Sequence, residues 1–353
     1  MQDRIDLQAQ MLANRLQKRF RHLKKWAGRT GAGAFRLYDR DIPEIPLVLD
    51  FYGDFTAKAE CVNIKDAALS GALYKRPYEK DEADETQWLS AMKESAASAL
   101  GIEIGNVYLK QREKQRGASQ YEKINRARVE KIISEGGLKF EINLSDYLDT
   151  GLFIDRRLLR EMIRAESAGK KVLNLFSYTG SFSVYAAAGG AASTDSVDLS
   201  NTYLNWAKEN FALNGFSAEI SKKSFAANCT NQHELIRADV LEFIKSEAAG
   251  KKRWDLIIVD PPAFSNSKKM TGNFDLNRDL IELLSDCSRL LSPGGKIFVS
   301  INMKRSAPQA EELEAGLSSS AAVNVRVTEL GKKLEDEDFK GRKLPKTFLA
   351  VFS

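Results

Sequence analysis

The feature that most constrains the fold of this chain is a regular alternation of short apolar runs and longer amphipathic segments after residue 170. The short runs are typical of buried strands, and the segments between them have the 3.6-residue period of helices. Alternation of this kind predicts a parallel sheet covered by helices on both faces. We predict strands at 171–176, 193–197, 235–238, 254–259 and 296–300, and helices at about 180–189, 201–213, 240–248 and 274–291.

Two further apolar runs, at 324–330 and 347–352, have no convincing helix between them. They predict an antiparallel C-terminal end to an otherwise parallel sheet. The predicted fold class of this part is therefore α/β.

The first 145 residues have a different pattern. A basic amphipathic helix is predicted at 4–27, and the order strand-strand-helix-strand-strand follows it, as in a small α+β domain. Its strands are predicted at 34–38, 47–52 (extending toward Val62), 106–110 and 138–143, with a helix at 84–100 and a basic loop at 111–136. The predicted domains are a basic helix (1–32), a small α+β domain (33–145) and a larger domain (146–353).

Composition argues against several functional classes. The three cysteines (Cys61, Cys229 and Cys287) are widely spaced and form no C-x-x-C pair, which argues against a disulfide framework or a cysteine-rich zinc site. Two histidines are too few for a histidine-based metal site or a Ser-His-Asp hydrolase, so no metal is expected. No apolar run approaches the roughly 20 residues that cross a bilayer. Since the N-terminus is polar, we expect no membrane association and a cytoplasmic location.

The net charge of +5 is unevenly distributed. Residues 1–30 hold eight lysines and arginines against two acids, and residues 110–131 hold eight against three. Two basic segments outside the apolar strands indicate a polyanionic partner such as nucleic acid. The alternative is that both are ordinary solvated faces, and charge alone does not separate these interpretations.

Candidate functional residues stand at the carboxyl ends of the predicted strands, where sheets of this kind bind ligands. After the first strand the chain reads Asn-Leu-Phe-Ser-Tyr-Thr-Gly-Ser, from Asn174 to Ser181. Its single glycine, Gly180, does not make the three-glycine dinucleotide fingerprint, and no P-loop is present. The loop therefore suits a neutral or zwitterionic ligand better than a phosphate.

An aspartate follows each of the next two strands. Asp198 stands where an acid commonly accepts hydrogen bonds from ribose hydroxyls. Its alternative role, capping the helix that starts near Asn201, is better suited to Ser200. Asp239 could accept a hydrogen bond from an adenine amino group or could cap the next helix.

The fourth predicted strand ends in Asp-Pro-Pro-Ala-Phe-Ser-Asn-Ser-Lys, from Asp260 to Lys268. Pro261 and Pro262 cannot continue a strand ladder and stiffen the exit. Phe264 offers a flat face for a stacked base, and Lys268 could meet a phosphate. The alternative is a rigid turn with Phe264 in the core. Beside an adenosine-type site on the first three strands, the functional interpretation is favoured.

Upstream, residues 146–157 read Asp-Tyr-Leu-Asp-Thr-Gly-Leu-Phe-Ile-Asp-Arg-Arg and place Asp155 where the two predicted domains join. The four strand-end motifs resemble motifs I to IV of class I S-adenosylmethionine-dependent methyltransferases, which have a Rossmann-like sheet. The upstream segment, the small α+β domain and the Ser-Asn-Ser-Lys stretch more narrowly resemble the large-subunit ribosomal RNA methyltransferases of the RlmK type. Members of that type are usually the C-terminal half of a fused enzyme and methylate guanine N7 of 23S rRNA. The resemblance runs from about Leu12 to the C-terminus.

This resemblance implies S-adenosylmethionine as the cofactor and a role for each motif. It places Asp198 on the cofactor ribose, Asp239 near the adenine amino group, and Asp155 closing over the methionine end. The other implied cofactor-binding residues are Asn174, Phe176, Ser177, Tyr178, Gly180, Leu199 and Asp260. The implied catalytic residues, facing the target base, are Asp260, Pro261, Pro262 and Phe264. The expected RNA contacts are Lys24, Lys25, Lys114, Arg116 and Lys268.

Guanine N7 fits this set of side chains because it carries a lone pair and no proton, so its methylation needs no general base. A carboxylate at Asp260 could stabilise the positive charge that develops on the ring. Related cytosine-C5 enzymes carry a cysteine nucleophile after the fifth strand, where this chain reads Val-Ser-Ile-Asn (299–302). On chemistry alone, an exocyclic amine such as guanine N2 stays an alternative target. A NAD-dependent oxidoreductase, disfavoured by the missing glycines, and a non-catalytic RNA-binding module are the alternatives from other classes.

In the fused relatives an N2-guanine methyltransferase half precedes this one, whereas this chain opens at Met1 without it, which fits either a naturally separate protein or a trimmed half of a fusion. The expected partner is 23S rRNA or a large-subunit assembly intermediate, with a separate N2-guanine methyltransferase acting nearby. Substrate delivery would then depend more strongly on the two basic segments.

Overall fold

The computed structural model describes residues 2–55, 63–74, 81–111, 128–147, 149–221, 232–265, 274–303, 307–321 and 324–353. The chain forms two compact units, one of Met1–Ile154 with Glu337–Lys340 and one of Asp155–Asp336 with Gly341–Ser353. In the described ranges, no helix combines the length and apolar character that crossing a bilayer requires.

The first unit begins with a long amphipathic helix whose buried face includes Leu12, Leu16 and Leu23. This confirms the predicted N-terminal helix, which extends to Thr30. The C-terminal segment of this unit is bound closely, since the Arg36 amide donates to Oδ2 of the fully buried Asp338 at 2.9 Å. The elements of the unit are α1 (Gln2–Thr30), β1 (Ala34–Asp39), β2 (Leu47–Tyr52), β3 (Ala68–Leu73), α2 (Glu82–Leu100), β4 (Val107–Gln111), β5 (Glu130–Glu135) and β6 (Leu138–Asn143).

Two strands of this unit were absent from the predicted order. In the described part of the unit, β1 to β4 form a four-stranded sheet in chain order, and β5 pairs with β6 as a hairpin. Strand β3 reads Ala-Leu-Ser-Gly-Ala-Leu, with small residues and no apolar-polar alternation. Its glycine is required, because a side chain at Gly71 would collide with the backbone oxygen of Val48. Strand β5 lies at the end of the region that its basic charge had suggested was a loop.

The second unit is an α/β fold, and the predicted fold class is confirmed. Its described residues form an eight-stranded sheet in the order β15-β16-β14-β11-β7-β8-β10-β9, in which β16 is antiparallel to both of its neighbours. The short strand β9 and the helices α3 and α8 were not among the predicted elements. The elements of the unit are α3 (Arg157–Glu166), β7 (Lys171–Leu175), α4 (Ser181–Ala188), β8 (Ser193–Asp198), α5 (Asn201–Leu213), β9 (Glu219–Ser221), β10 (His233–Arg237), α6 (Val240–Ala248), β11 (Trp254–Val259), β12 (Phe264–Ser265), β13 (Phe274–Asp275), α7 (Leu276–Ser288), β14 (Leu291–Ile301), α8 (Ala310–Ala321), β15 (Val325–Glu329) and β16 (Lys346–Phe352).

The strand order creates a switch point beside β7. The chain proceeds from β7 to β8 on one edge and later returns to place β11 on the other edge of β7. At a switch of this kind the connecting segments leave in opposite directions, and the crevice at the carboxyl ends of the strands binds ligands. The candidate residues of the four strand-end motifs follow β7, β8, β10 and β11 and therefore lie along this edge.

Candidate active site

The loop that follows β7 has an unusual backbone conformation. Phe176 and Tyr178 have φ angles of 57° and 50°, and Gly180 has a φ of 71°. The left-handed region costs a residue with a side chain about 1 to 2 kcal/mol. A side chain at Gly180 would also place its Cβ 2.8 Å from Cβ of Ala207, so glycine is required there. The predicted tight turn at Gly180 is confirmed, and strain concentrated in one loop is typical of a functional position.

Hydrogen bonds from two backbone amides connect the strained loop to the end of β8. The Tyr178 amide donates to Oδ2 of Asp198 at 2.9 Å, and the Ser177 amide donates to the carbonyl oxygen of Val197 at 3.0 Å. The structure therefore brings two of the predicted motifs together. The amide of Tyr178 thereby fixes the position of the Asp198 carboxylate.

Two polar atoms at the end of β7 are buried without a hydrogen-bond partner among the described residues. They are Oδ1 of Asn174 and Oγ of Ser177, in residues that are 1% and 4% exposed. The amide nitrogen of Asn174 donates to Oγ of Ser183 at 2.9 Å, so only its oxygen is left over. An unpaired buried polar atom costs about 1 to 3 kcal/mol, which a hydrogen-bonding ligand would recover. These atoms fit the amino acid end of a zwitterionic cofactor.

Asp198 is held by backbone amides on both sides of its carboxylate. Besides Tyr178, the Ser200 amide donates to its Oδ1 at 2.8 Å, and the Leu199 amide also contributes. Burial raises the pKa of Asp198 to about 6, although these three amides oppose the shift. Ser200 caps α5 by accepting from the Tyr203 amide at 3.3 Å, so capping does not occupy Asp198.

Asp239 is the N-cap of α6, which was the alternative interpretation of this residue. Its Oδ1 accepts from the amides of Leu241 at 2.8 Å and Glu242 at 3.2 Å. The residue lies next to Asp198, because the Ala238 amide donates to the carbonyl oxygen of Asp198 at 3.2 Å. A contact of Asp239 with adenine stays a prediction.

The carboxylate of Asp260, at the end of β11, is bound by an arginine that the sequence had not singled out. Nε and Nη2 of Arg156 donate to Oδ2 and Oδ1 of Asp260 at 3.2 and 3.1 Å, and Nη1 donates to Oδ2 of Asp155 at 2.7 Å. Arg156 is only 6% exposed. Burial alone would lower the pKa of Arg156, but the two carboxylates more than offset this and raise it. Asp155, Arg156 and Asp260 therefore form one ionic cluster.

The remaining predicted residues fall into three groups. Directly after Asp260, Pro261 is buried and Pro262 is partly buried. The Phe176 ring packs against the Phe274 ring, with 5.9 Å between the ring centroids. The backbone of Phe264 pairs with Asp275 in the β12–β13 ribbon. On α1 of the first unit, both Lys24 and Lys25 are exposed. The predicted contacts Lys114, Arg116 and Lys268 lie outside the described residues.

Comparisons of sequence identify the family. Residues 53–336 match the model of the S-adenosylmethionine-dependent methyltransferases. The chain is 40% identical over 332 residues to ribosomal RNA large subunit methyltransferase K of Neisseria meningitidis, which covers 94% of this chain and 84% of that protein. It is 42% identical over 303 residues to ribosomal RNA large subunit methyltransferase K/L of Shewanella pealeana, covering 86% of this chain but only 39% of the longer relative.

Comparisons of structure agree. A protein from Streptococcus mutans, described as a SAM-dependent methyltransferase, has a TM-score of 0.68 and 22% identity, over 97% of this chain and 81% of that one. A methyltransferase structure with the same scores is complexed with SAH. At this identity the likeness shows the fold, and the sequence match shows the cofactor, S-adenosylmethionine, as predicted. The chain belongs to the family of S-adenosylmethionine-dependent methyltransferases that includes the large-subunit ribosomal RNA enzymes.

Proposed function

We propose that this protein transfers a methyl group from S-adenosylmethionine to N7 of a guanine in 23S ribosomal RNA, as free RNA or within an assembling large subunit. The relative that carries the K name alone is matched over 84% of its length. The chain spans 39% of the length of the K/L relative from Shewanella pealeana. The shared sequence therefore corresponds to most of a K-type protein, which supports the K-type activity over that of the other half.

The observation that carries this proposal is the ionic cluster of Asp155, Arg156 and Asp260 at the end of β11. Its two carboxylates and one guanidinium give it a formal charge of −1. Methylation at N7 converts a neutral ring into a cation, and fixed negative charge near the ring stabilises that change. The single histidine of the second unit, His233, does not supply a base at this edge, since it begins β10 at the opposite end of the sheet. A target nitrogen with a lone pair and no proton is therefore favoured.

The proposed roles follow the strand ends. S-adenosylmethionine supplies an electrophilic methyl group when bound. We assign Asp198 to the ribose hydroxyls, Asp239 to the adenine amino group and Asp155 to the methionine end. The backbone of Tyr178 and Leu199 fixes Asp198. The remaining residues assigned to the methionine end are Asn174, Phe176, Ser177 and Gly180, and those assigned to the target base are Asp260, Pro261, Pro262 and Phe264.

The cytosine-C5 alternative requires a thiolate nucleophile. Cys287 is fully buried within α7, and burial raises the pKa of its thiol. The other two cysteines lie outside the described residues. Among described residues, no cysteine thus meets the requirement for a nucleophile at the strand-end edge.

Chemical mapping of the product tests the proposed atom. Ribosomal RNA from cells with and without the gene is treated with borohydride and aniline, which cleave at N7-methylguanine. We expect one 23S cleavage site that is present only with the gene. If cleavage is identical in both strains and mass spectrometry finds a gene-dependent N2-methylguanine instead, the N7 assignment is wrong.

The exposed face of α1 is the proposed RNA contact of the first unit. Lys18, Arg21, Lys25 and Arg29 recur every three or four residues, so they form one stripe with Lys24 beside it. All five are exposed, and none forms an ion pair with a described residue. A stripe of unpaired cations is suited to successive phosphates of an RNA backbone.

Removing two of these charges should change the salt dependence of RNA binding. For Lys24→Ala/Lys25→Ala, we expect the slope of log K against log salt to become shallower by about 1.5, since each lost phosphate contact removes about 0.7 to 0.9. The measurement is fluorescence anisotropy with a 23S rRNA fragment at several salt concentrations. Arg4→Ala, about 30 Å away along the same helix, is the control and should leave the slope unchanged. A double variant with the wild-type slope would remove α1 from the RNA-binding surface.

A further inference from the structure

The three strand-end aspartates of the second unit are oriented in two different ways. For Asp198 and Asp239, the amide two positions further along donates to Oδ1, at 2.8 Å from Ser200 and at 2.8 Å from Leu241. This local bond holds one carboxylate oxygen from within the aspartate's own loop. For Asp198, the Tyr178 amide holds the second oxygen at 2.9 Å. Both aspartates are therefore oriented by backbone amides, and each has at least one such amide two positions along the chain.

Asp260 has no such hydrogen bond from the amide two positions further along. The next two residues are Pro261 and Pro262, and proline has no amide hydrogen to donate. The carboxylate would therefore be free to rotate at the end of β11 if its surroundings did not hold it. Its described donors are both on Arg156, which lies 104 positions earlier in the chain.

We propose that Arg156 is the positioning residue of the reaction, which holds Asp260 in place of the amides that the two prolines remove. Nε and Nη2 of one guanidinium form a planar fork that matches the two carboxylate oxygens, and Nη1 remains for Asp155. Each oxygen of Asp260 accepts one bond and keeps a second lone pair for the target base. The two prolines make the exit from β11 rigid but remove the amide donors that would orient Asp260. Catalysis at this exit therefore depends on Arg156.

Lysine cannot take over this role, although it preserves the charge. An ammonium group is a point charge on a flexible stem and does not form the two parallel bonds of a guanidinium. The inference rests on the proposed methyl transfer, because that is the reaction for which Asp260 is positioned.

The first test compares Arg156→Lys with Arg157→Lys. The neighbouring Arg157 is equally buried, at 5% exposure, and pairs with Asp336 at 2.7 Å. We expect Arg156→Lys to lower kcat by about 10- to 100-fold, because an active-site group displaced by about 1 Å loses a factor of this order. Its Kd for S-adenosylmethionine should change by less than about threefold, since Asp198 and the β7 loop remain and a lysine ammonium can keep the single bond to Asp155. Arg157→Lys should have a similar loss of thermal stability without the loss of kcat. Equal kcat values for the two variants would overturn the proposal.

A double-mutant cycle separates positioning from a general structural role. In an Asp260→Ala background, Arg156→Lys should lower the residual kcat by less than about twofold, because its action passes through Asp260. Multiplicative losses from the two substitutions would mean that Arg156 acts independently and would also overturn the proposal. Should Arg156→Lys fail to fold, Arg156→Gln replaces it in both tests, because its amide donates to one carboxylate without burying an unpaired ammonium.

A crystal structure of Arg156→Lys gives a readout that does not depend on activity. We expect the Asp260 carboxylate to occupy more than one rotamer, while Asp198 keeps a single one. A single, wild-type Asp260 rotamer would contradict the positioning role. If the wild-type protein does not methylate 23S rRNA, the proposed function is wrong, and the rotamers still test whether Arg156 orients Asp260.

Discussion

Asp260→Ala should lower kcat for methyl transfer by about a thousandfold, because it removes the negative charge nearest to the proposed target ring. We expect the Kd for S-adenosylmethionine to stay within a few-fold, since the predicted cofactor contacts at Asp198 and Ser177 are unchanged. Single-turnover methylation of 23S rRNA measures the first quantity, and calorimetry measures the second. Calorimetry that shows binding of NAD and none of S-adenosylmethionine would contradict the proposed function itself.

Asp336→Ala is the matched control for this substitution. Asp336 and Asp260 have side chains that are 14% and 15% exposed, and each is paired with a buried arginine. Removing one partner of a buried pair costs about 3 to 5 kcal/mol, so both variants should lose stability. Only Asp260→Ala should lose methyl transfer. A loss of cofactor affinity as large as the loss of kcat would place Asp260 in the cofactor site instead.

Asp198→Asn should raise the Kd for S-adenosylmethionine by about a hundredfold. Hydrogen bonds to a charged group contribute about 1.5 to 3 kcal/mol each, so losing charge-assisted bonds to the ribose accounts for a change of this size. The substitution also replaces an acceptor of backbone amides by a group that is part donor, which loosens the Tyr178 contact. Asp81→Asn, which preserves the N-cap of α2 in the first unit, is the control and should leave this Kd unchanged. A Kd for Asp198→Asn within about threefold of the wild-type value would contradict the ribose assignment.

The raised pKa of Asp198 predicts how binding depends on pH. In the proposed site the ribose hydroxyls would donate to the ionised carboxylate, so affinity should be constant above about pH 7 and weaken by up to tenfold per pH unit below about 6. The contribution of Asp198 to the folding stability of the free protein has the opposite pH dependence. The pKa rises from 3.8 unfolded to about 6 folded, so its contribution to stability is present below about pH 4 and is lost as the pH rises through 6. Asp198→Asn should remove both dependences, which titration calorimetry and thermal unfolding across this range would show.

The order of elements in the second unit could be predicted because each buried parallel strand is a short, nearly continuous apolar run, as in Trp254–Val259. Strand β3 could not be predicted, since its central glycine, Gly71, is required by close packing against β2, whereas local propensity disfavours glycine in a strand. Helix α8 has three serines in its last turn and little helical pattern in its sequence. Tertiary packing determines the conformation of these two elements, and the periodicity of a single sequence carries no information on tertiary packing.

In the candidate site, too, some residues could be predicted from the sequence and others could not. Asp198, Asp239 and Asp260 could be placed together because parallel strands all end at one edge of a sheet. Arg156 could not, because an ion pair across 104 positions leaves no local pattern. Two prolines after an aspartate are the one local indication, since they remove the donors that such a carboxylate uses. The positive φ angles of Phe176 and Tyr178 were also unforeseen, because residues other than glycine rarely adopt them.

The segment Glu337–Lys340, which belongs to the first unit although it lies late in the chain, affects how this unit folds during translation. Asp338 accepts from the Arg36 amide, and the Arg36 guanidinium lies 5.3 Å from the ring centre of Phe339. At about 5 to 20 residues per second, a ribosome needs roughly 10 to 35 s to synthesise the residues between Ile154 and Glu337. During that interval the nascent N-terminal unit lacks the bond from the Arg36 amide to Asp338 and the contact between the Arg36 guanidinium and the Phe339 ring. Folding of this unit during translation therefore cannot finish before almost the whole chain has been translated, and a fragment that ends at Ile154 should be less stable than the same unit in the intact protein.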